Sequence, residues 1–527
     1  MAFSRIDQFQ KIKANESEYD ICIIGGGATG AGVALDAVLR GYKVLLIEKG
    51  DFAGQTSSKS TKLVHGGVRY LEQAVRNVDW QQFKMVYKAL HERKVMLQNA
   101  PHLAHPLALL TPCYSWWDRV YYGIGMWLYD RISGVTNLKN SQGLGNQQME
   151  RLVPNLQVKG MSGGILYYDG QLNDARYALA ILQSAEKEGA AILNYCELSH
   201  FGLSPKSLKI KKIHFKDLIS GEEHEVSCKV VVNATGPFTD HIRQLANLKL
   251  KPRMKVSRGA HIVLPKTFWS GETALLIPKT DDGRVVFIIP WRDYVLVGTT
   301  DEPDELKEDP AIRAEEEDYL LDYFNRFALI KASKQDVSSG FVGQRPLLQV
   351  GLSDAMQSDT KSLVRDHEVE VDQRSKLVSI MGGKWTTYRV MAEDTMNVVE
   401  EEVLHRHKQS CRTKDYVLFG GNKMDETLWS QRIKALHISE LSANHLREIY
   451  GFTALNVLEH CEREKGGLEL IHSSLPYLQG ELNYLKNYEM AECWEDILYR
   501  RWGISLRDQA KGQLIMDIKK EAFASFH

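Results

Sequence analysis

Near its start the chain reads Asp20-Ile21-Cys22-Ile23-Ile24-Gly25-Gly26-Gly27-Ala28-Thr29-Gly30. Ile21 to Ile24 is a short apolar run, as a strand buried on both faces requires. Gly25, Gly27 and Gly30 then match G-x-G-x-x-G. Ala31 to Leu39 reads as a helix closed by Gly41, and a second apolar run, Lys43 to Ile47, ends on Glu48. Together these make a β-α-β unit of about thirty residues. The first glycine of such a motif permits a tight turn, the second lets a diphosphate approach the backbone, and the third lets helix and strand pack closely.

The helix start offers unpaired N–H groups and the positive end of its dipole to phosphates. Glu48 can accept hydrogen bonds from ribose hydroxyls. FAD and NAD are both held by this kind of unit, so the stretch alone leaves the two open.

Further out, the 527 residues suit two or three domains. Apolar residues make up 43% and charged residues 25%, which excludes a disordered chain. Lys+Arg is 66 against Asp+Glu 67, so there is no global basic field and no nucleic-acid partner is expected. The seven cysteines are widely scattered without a CxxC, which suits free thiols in a reducing compartment rather than a zinc site. Residues 1 to 19 lack the apolar core of a secretory signal. No apolar run reaches the length of a membrane span.

Three short strands, Ala274 to Pro278, Arg284 to Pro290 and Tyr294 to Thr299, follow one another across turns and imply an antiparallel sheet. Parallel-type strands return at Lys229 to Val232 and Leu377 to Ile380, each leading into a Gly-containing turn. The expected fold class is therefore α/β plus antiparallel β. The expected division is a discontinuous nucleotide domain (18–100, 160–245 and 340–395), an inserted substrate domain (101–159 and 246–339), and a C-terminal α-helical domain (396–527).

Residues 56 to 72, Thr-Ser-Ser-Lys-Ser-Thr-Lys-Leu-Val-His-Gly-Gly-Val-Arg-Tyr-Leu-Glu, resemble the signature of FAD-dependent glycerol-3-phosphate dehydrogenases. The resemblance continues, in order, through Val232 to Pro237, Ser257 to Val263, Gly298 to Asp301, Arg345 to Leu347, Gly382 to Arg389 and Glu495 to Arg501. It implies a Rossmann-like FAD-binding fold of the glycine/D-amino-acid oxidase type, with FAD held non-covalently. It also implies oxidation of sn-glycerol 3-phosphate to dihydroxyacetone phosphate, with electrons passed to a membrane quinone. The enzyme is then expected in the cytoplasm, bound peripherally to the inner face of the cell membrane. A homodimer is one alternative for its oligomeric state. Related oxidases use O₂ instead, and flavin amine or amino-acid oxidases share the fold, as would a non-catalytic FAD module. The calcium-binding EF-hand loop of mitochondrial relatives does not occur in the tail, and no metal site is expected.

The implied reaction needs a base for a hydroxyl proton, cations for an alkoxide and cations for a phosphate. His261 is the expected base, with a core histidine as the alternative reading. Arg345 is expected near the reacting oxygen. By resemblance Arg69, Tyr70, Arg365 and Lys384 line the substrate pocket, with Arg69 and Lys384 at the phosphate. Arg365, beside Asp366, reads equally as a salt-bridge partner. FAD contacts are expected from Gly25, Gly27, Gly30, Glu48, Ser57, Ser58, Thr61, Lys62, Ala234, Gly236, Gly382, Gly383 and Thr386.

Trp116, Trp117, Tyr121, Tyr122, Trp127 and Tyr129 crowd one short segment. It reads either as a membrane-interface helix or as an aromatic core helix. The basic residues Arg500, Arg501, Lys511, Lys519 and Lys520 read either as a lipid contact or as a solvated face.

Overall fold

The computed structural model describes residues 3–14, 18–67, 80–134, 137–349 and 367–519. Tyr19–Ile24 is the centre of the first sheet. It runs parallel to Val44–Ile47 on one side and to Glu223–Asn233 on the other. The sheet extends to Ala191–Leu193 beyond the former, and to Val378–Gly382 and His367–Val371 beyond the latter. Alternation assigns the two faces: Ile21 and Ile23 meet the helices Ala28–Leu39, Asp174–Lys187 and Tyr388–Val398, while Cys22 and Ile24 pack with Leu45, Phe215 and Ile242.

Glu223–Asn233 starts six residues ahead of the expected Lys229. Its first half pairs antiparallel with Ile210–Asp217, and its second half pairs parallel with Tyr19–Ile24. The polar first half, Glu223-His224-Glu225, hides this strand from an apolar-run reading.

The second sheet has ten strands. Met254–Pro265 lies at its heart, between Tyr294–Gly298 and Ser339–Leu348. Ala274–Ile277, Val286–Trp291 and Tyr294–Gly298 form the expected antiparallel run. Two further strands, Gly163–Leu172 and Ser339–Leu348, belong to this sheet although their residues fall in segments expected with the nucleotide unit. Both pair with strands distant in sequence, and backbone pairing leaves no local signature.

Beyond Tyr388 the described chain is helical, with a core of its own around Leu446, Leu458, Tyr477, Leu485 and Trp502. Five cysteines are buried, Cys411 and Cys493 are half-buried, and all seven are free thiols. No helix among the described residues is long and apolar enough to cross a membrane.

Candidate active site

The glycine loop is built to the motif's logic. A Cβ on Gly30 would lie 1.9 Å from the Gly25 carbonyl oxygen, and one on Gly25 would lie 2.7 Å from that of Ala234. Helix and strand can therefore approach only because these positions lack side chains. Gly25 also has φ +108°. The helix starts at Ala28, three residues before the expected Ala31, because that close approach draws Thr29 and Gly30 into its first turn. Gly27 is its extended N-cap and supplies no side-chain cap. The Ala28 N–H donates to Ser57 Oγ at 3.0 Å. Thr29 and Gly30, also in the first turn, have no partner within the helix for their N–H groups, which suits a diphosphate.

Glu48 accepts from the Gly26 N–H at 2.6 Å and the Gly50 N–H at 2.9 Å. Burial raises its pKa, and those two backbone bonds oppose the rise. This bare, donor-bearing helix start with an acid at the end of the next strand fits the adenosine diphosphate half of FAD.

Thr56 to Lys62 ties the two sheets together. Thr56 Oγ1 donates to the Gln344 carbonyl at 2.6 Å, and a Cβ on Gly343 would meet the Lys59 carbonyl at 2.4 Å. The Ser57 carbonyl accepts from Trp385 Nε1 at 2.8 Å. Ser58 Oγ bonds the Gln55 carbonyl at 3.4 Å. Thr61 Oγ1 lies 3.0 Å from His261 Nε2. Lys62 is buried, its ammonium 2.7 Å from Asp174 and close above Trp291 and Phe341. Ser57, Thr61 and Lys62, expected on FAD, thus have their side chains engaged with Ala28, His261 and Asp174. Asp174 also accepts from the Ser60 hydroxyl at 2.7 Å. A lone aspartate beginning a helix gave no sequence signal of this anchoring role.

His261 sits in the middle of Met254–Pro265, opposite Gly298 and Phe341 on its two neighbouring strands. Its ring stacks on Phe341 at 5.0 Å. A Cβ on Gly298 would lie 2.2 Å from that ring, so the glycine is what admits the imidazole. Burial lowers the His261 pKa well below its ordinary value, and Arg345 and Lys62 lower it further. The imidazole is therefore neutral at physiological pH.

Arg345 faces Ser257 across the same strand pair. Its guanidinium bonds Thr299 Oγ1 at 2.9 Å, the Thr300 carbonyl at 3.1 Å and the Arg258 carbonyl at 3.2 Å, and it lies 3.3 Å from Asp301. It lies over Gly259, whose Cβ would be 2.4 Å from Nη2. About a quarter of its side chain remains accessible.

The turn after Val378–Gly382 completes the group. Gly382 and Gly383 have φ of +76° and +88°. A Cβ on Gly383 would collide with the Met391 thioether. Lys384 precedes the short turn Trp385–Thr387, and its carbonyl accepts from the Thr387 hydroxyl at 3.2 Å. Thr386 Oγ1 reaches the His65 carbonyl at 3.5 Å. Ala234 and Gly236 follow Glu223–Asn233, the strand between Val378–Gly382 and Tyr19–Ile24, with the Ala234 N–H donating to the Ile24 carbonyl. Arg69, Tyr70 and Arg365 lie outside the described residues. His65, half-buried on the loop after Leu63–Val64, was quoted in the sequence motif without a role.

Two tail residues correct an expectation. Arg500 and Arg501 are neither a lipid contact nor a solvated face. Arg501 is buried and Arg500 half-buried against Asp51, and Arg501 bonds it at 2.7 and 2.8 Å. Burial would raise the Asp51 carboxyl, but the Arg501 and Arg500 guanidiniums bring it down to about 2.

Fold and site together define a flavin-dependent oxidoreductase of the D-amino-acid oxidase type. The family profile "FAD dependent oxidoreductase" matches residues 20–388, and "C-terminal domain of alpha-glycerophosphate oxidase" matches residues 411–521. A mitochondrial glycerol-3-phosphate dehydrogenase from Bos taurus is 40% identical over 511 residues, 94% of this chain and 69% of the relative. The corresponding enzyme of Arabidopsis thaliana is 38% identical, covering 96% of this chain and 83% of its own. The crystal structure of glycerol-3-phosphate dehydrogenase from Bacillus halodurans, complexed with FAD, superposes with a TM-score of 0.78 at 28% identity, covering 99% of this chain and 94% of that one. This chain belongs to the family of FAD-dependent glycerol-3-phosphate dehydrogenases, and its cofactor is FAD.

Proposed function

We propose that the protein oxidises sn-glycerol 3-phosphate to dihydroxyacetone phosphate and passes the electrons to a membrane quinone. The redox chemistry, acceptance of the C2 hydride at flavin N5, is supplied by FAD when bound. The chain's own work is to bind, orient and move a proton. His261, neutral and held through Thr61, takes the hydroxyl proton as the C2–O bond becomes a carbonyl. Arg345 stabilises the negative charge developing on that oxygen. Arg69 and Lys384, with Arg365 and Tyr70 beside them, hold the phosphate. The glycine-loop sheet carries the dinucleotide, and the second sheet presents the substrate. The protein works in the cytoplasm against the inner face of the cell membrane.

The observation that carries this reading is the placing of His261 and Arg345 four residues out of register on adjacent strands, with Thr61 bonded to His261 and Thr56 to Gln344 on the segment that also reaches the glycine loop. His65 supports a second assignment of the base. It is half-buried and its carbonyl meets Thr386, whereas His261 is closed in. Turnover of His65→Ala compared with His261→Ala separates the two.

The test of the whole is anaerobic titration of the purified yellow protein. Glycerol 3-phosphate should bleach the flavin bands, and a quinone should restore them. Restoration by O₂ alone identifies an oxidase. Bleaching by glycine or a D-amino acid, but not by the phosphate ester, identifies an amine oxidase. Flavin that no substrate reduces marks a binding module. Arg69→Ala should raise KM for the phosphate ester far more than for glycerol.

A further inference from the structure

We propose that the outer face of the helices Trp80–Asn99 and Trp116–Ser133 is the surface that seats in the headgroup layer of an anionic lipid bilayer. The proposal rests on the peripheral-membrane reading above and gives it an address. On Trp116–Ser133 the inward residues Met126, Tyr129 and Ser133 are buried, with Met126 and Tyr129 packed beside Ile165 and Tyr167 of the second sheet. The outward stripe is Trp117, Tyr121, Ile124 and Trp127, exposed by 73, 52, 62 and 56%. Trp116 adds a further 63%. An amphipathic helix on a water-facing surface reverses this order and puts its polar residues outward.

The neighbouring helix repeats the pattern. Val86 and Leu90 face the core, and Trp80, Lys84 and Tyr87 stand outward at helical spacing. Trp80 is 74% exposed. So much contiguous exposed aromatic surface marks an interaction site.

The chemistry of the face selects its occupant. Tryptophan and tyrosine rings with a polar edge favour the headgroup boundary over both water and hydrocarbon. The helix's two acids are turned onto local donors: Asp118 accepts from the Tyr114 and Ser115 N–H groups, and Asp130 from the Ser141 N–H and hydroxyl. Of the cations, Arg119 is turned onto the Ser162 carbonyl, while Arg131 and Lys84 point out. Arg131 is exposed and covers Trp127 at 5.2 Å, and Lys84 is exposed between Trp80 and Tyr87. Aromatic rings flanked by outward cations complement an anionic lipid surface. The helix is not apolar enough to cross the bilayer, so it lies in the interface plane. Arg500 and Arg501 of the tail are already engaged with Asp51, so they do not compete with this face for a lipid surface.

The experiment uses the full FAD-loaded chain and vesicles of phosphatidylglycerol mixed with phosphatidylcholine, read by co-sedimentation. The variant Trp117→Ser/Tyr121→Ser/Trp127→Ser should bind about tenfold or more weakly. Its melting temperature and its oxidation of glycerol 3-phosphate with a soluble dye acceptor should stay at the wild-type level. Lys511→Ala, in the tail, should bind as wild type. If the triple variant binds as wild type, this face is wrong while the peripheral reading stands. If wild type itself fails to bind at low ionic strength, the peripheral reading falls and takes the face with it. If the triple variant instead changes from a dimer to a monomer in sedimentation velocity, the face is a contact between two copies and the proposal is overturned.

Discussion

The dinucleotide loop and the proposed substrate half of this site are built in opposite ways. The former comes from one continuous stretch, Tyr19 to Glu48, whose strand, turn, helix and strand follow in order. The latter is gathered from Met254–Pro265, Tyr294–Gly298 and Ser339–Leu348, which meet only through sheet pairing. Glycine does different work in each. Gly25 and Gly30 let backbone approach backbone, whereas Gly298 and Gly259 vacate space for the side chains of His261 and Arg345. One half is specified locally and the other by register, and their variants should fail differently.

The largest effect should come from Gly30→Ala. Its Cβ would fall 1.9 Å from a backbone oxygen that cannot rotate away. Flavin absorbance per mole of purified protein should collapse, and retention of full yellow colour would refute the assignment of the loop. Asp51→Asn should come next. It removes the carboxylate that Arg500 and Arg501 share, leaving Arg500 on Asp496 and Arg501 beside Glu489, a loss of about 3 kcal/mol, the low end of the scale of broken buried pairs, measured by urea unfolding. With its pKa lowered to about 2 from an ordinary 3.8, Asp51 stabilises the wild type above pH 3.8. That contribution disappears as pH falls toward 2, and the variant should lack this part of the acid transition.

His261→Ala should lower turnover by about 10²–10⁴-fold, the usual range for a general base, while flavin content stays near wild type. Gly298→Ala should imitate it, because its Cβ would displace the imidazole. Equal turnover in wild type and either variant would break the contrast drawn above. Since the folded His261 pKa lies well below 6.5, the acid limb of the turnover profile should also fall below pH 6.5. The smallest effect should be that of Thr61→Val, about tenfold in turnover from one lost hydrogen bond. Thr61→Ser should restore most of it, and flavin affinity should not move in either.

The same contrast explains what the sequence disclosed. The glycine loop, the antiparallel run and the helical tail each carry a local pattern, and each was legible. His261, Arg345 and the Gly382–Gly383 turn were found through family blocks. Their mutual arrangement depends on pairings such as His261 opposite Phe341, which periodicity does not encode. Thr61 and Lys62 were read as cofactor contacts because they stand in the 56–72 family block. Only the fold reveals their partners, His261 and Asp174, each more than a hundred residues away. Arg500 and Arg501 looked like a surface charge run because nothing in the tail signals Asp51, 450 residues earlier than Arg501. The aromatic segment is a helix, as either reading required, and its exposure rules out a wholly core role.

That last ion pair has a consequence for biosynthesis. The turn carrying Asp51 leans directly on Gly26 through Phe52 and through the hydrogen bond from the Ala53 amide. Its guanidinium anchors, Arg500 and Arg501, are synthesised about 450 residues after it. A nascent chain can therefore hold every strand of the first sheet, the last of which ends at Gly382, and still lack the brace beside its glycines. The brace beside the flavin-nucleotide loop thus depends on residues far downstream of that loop.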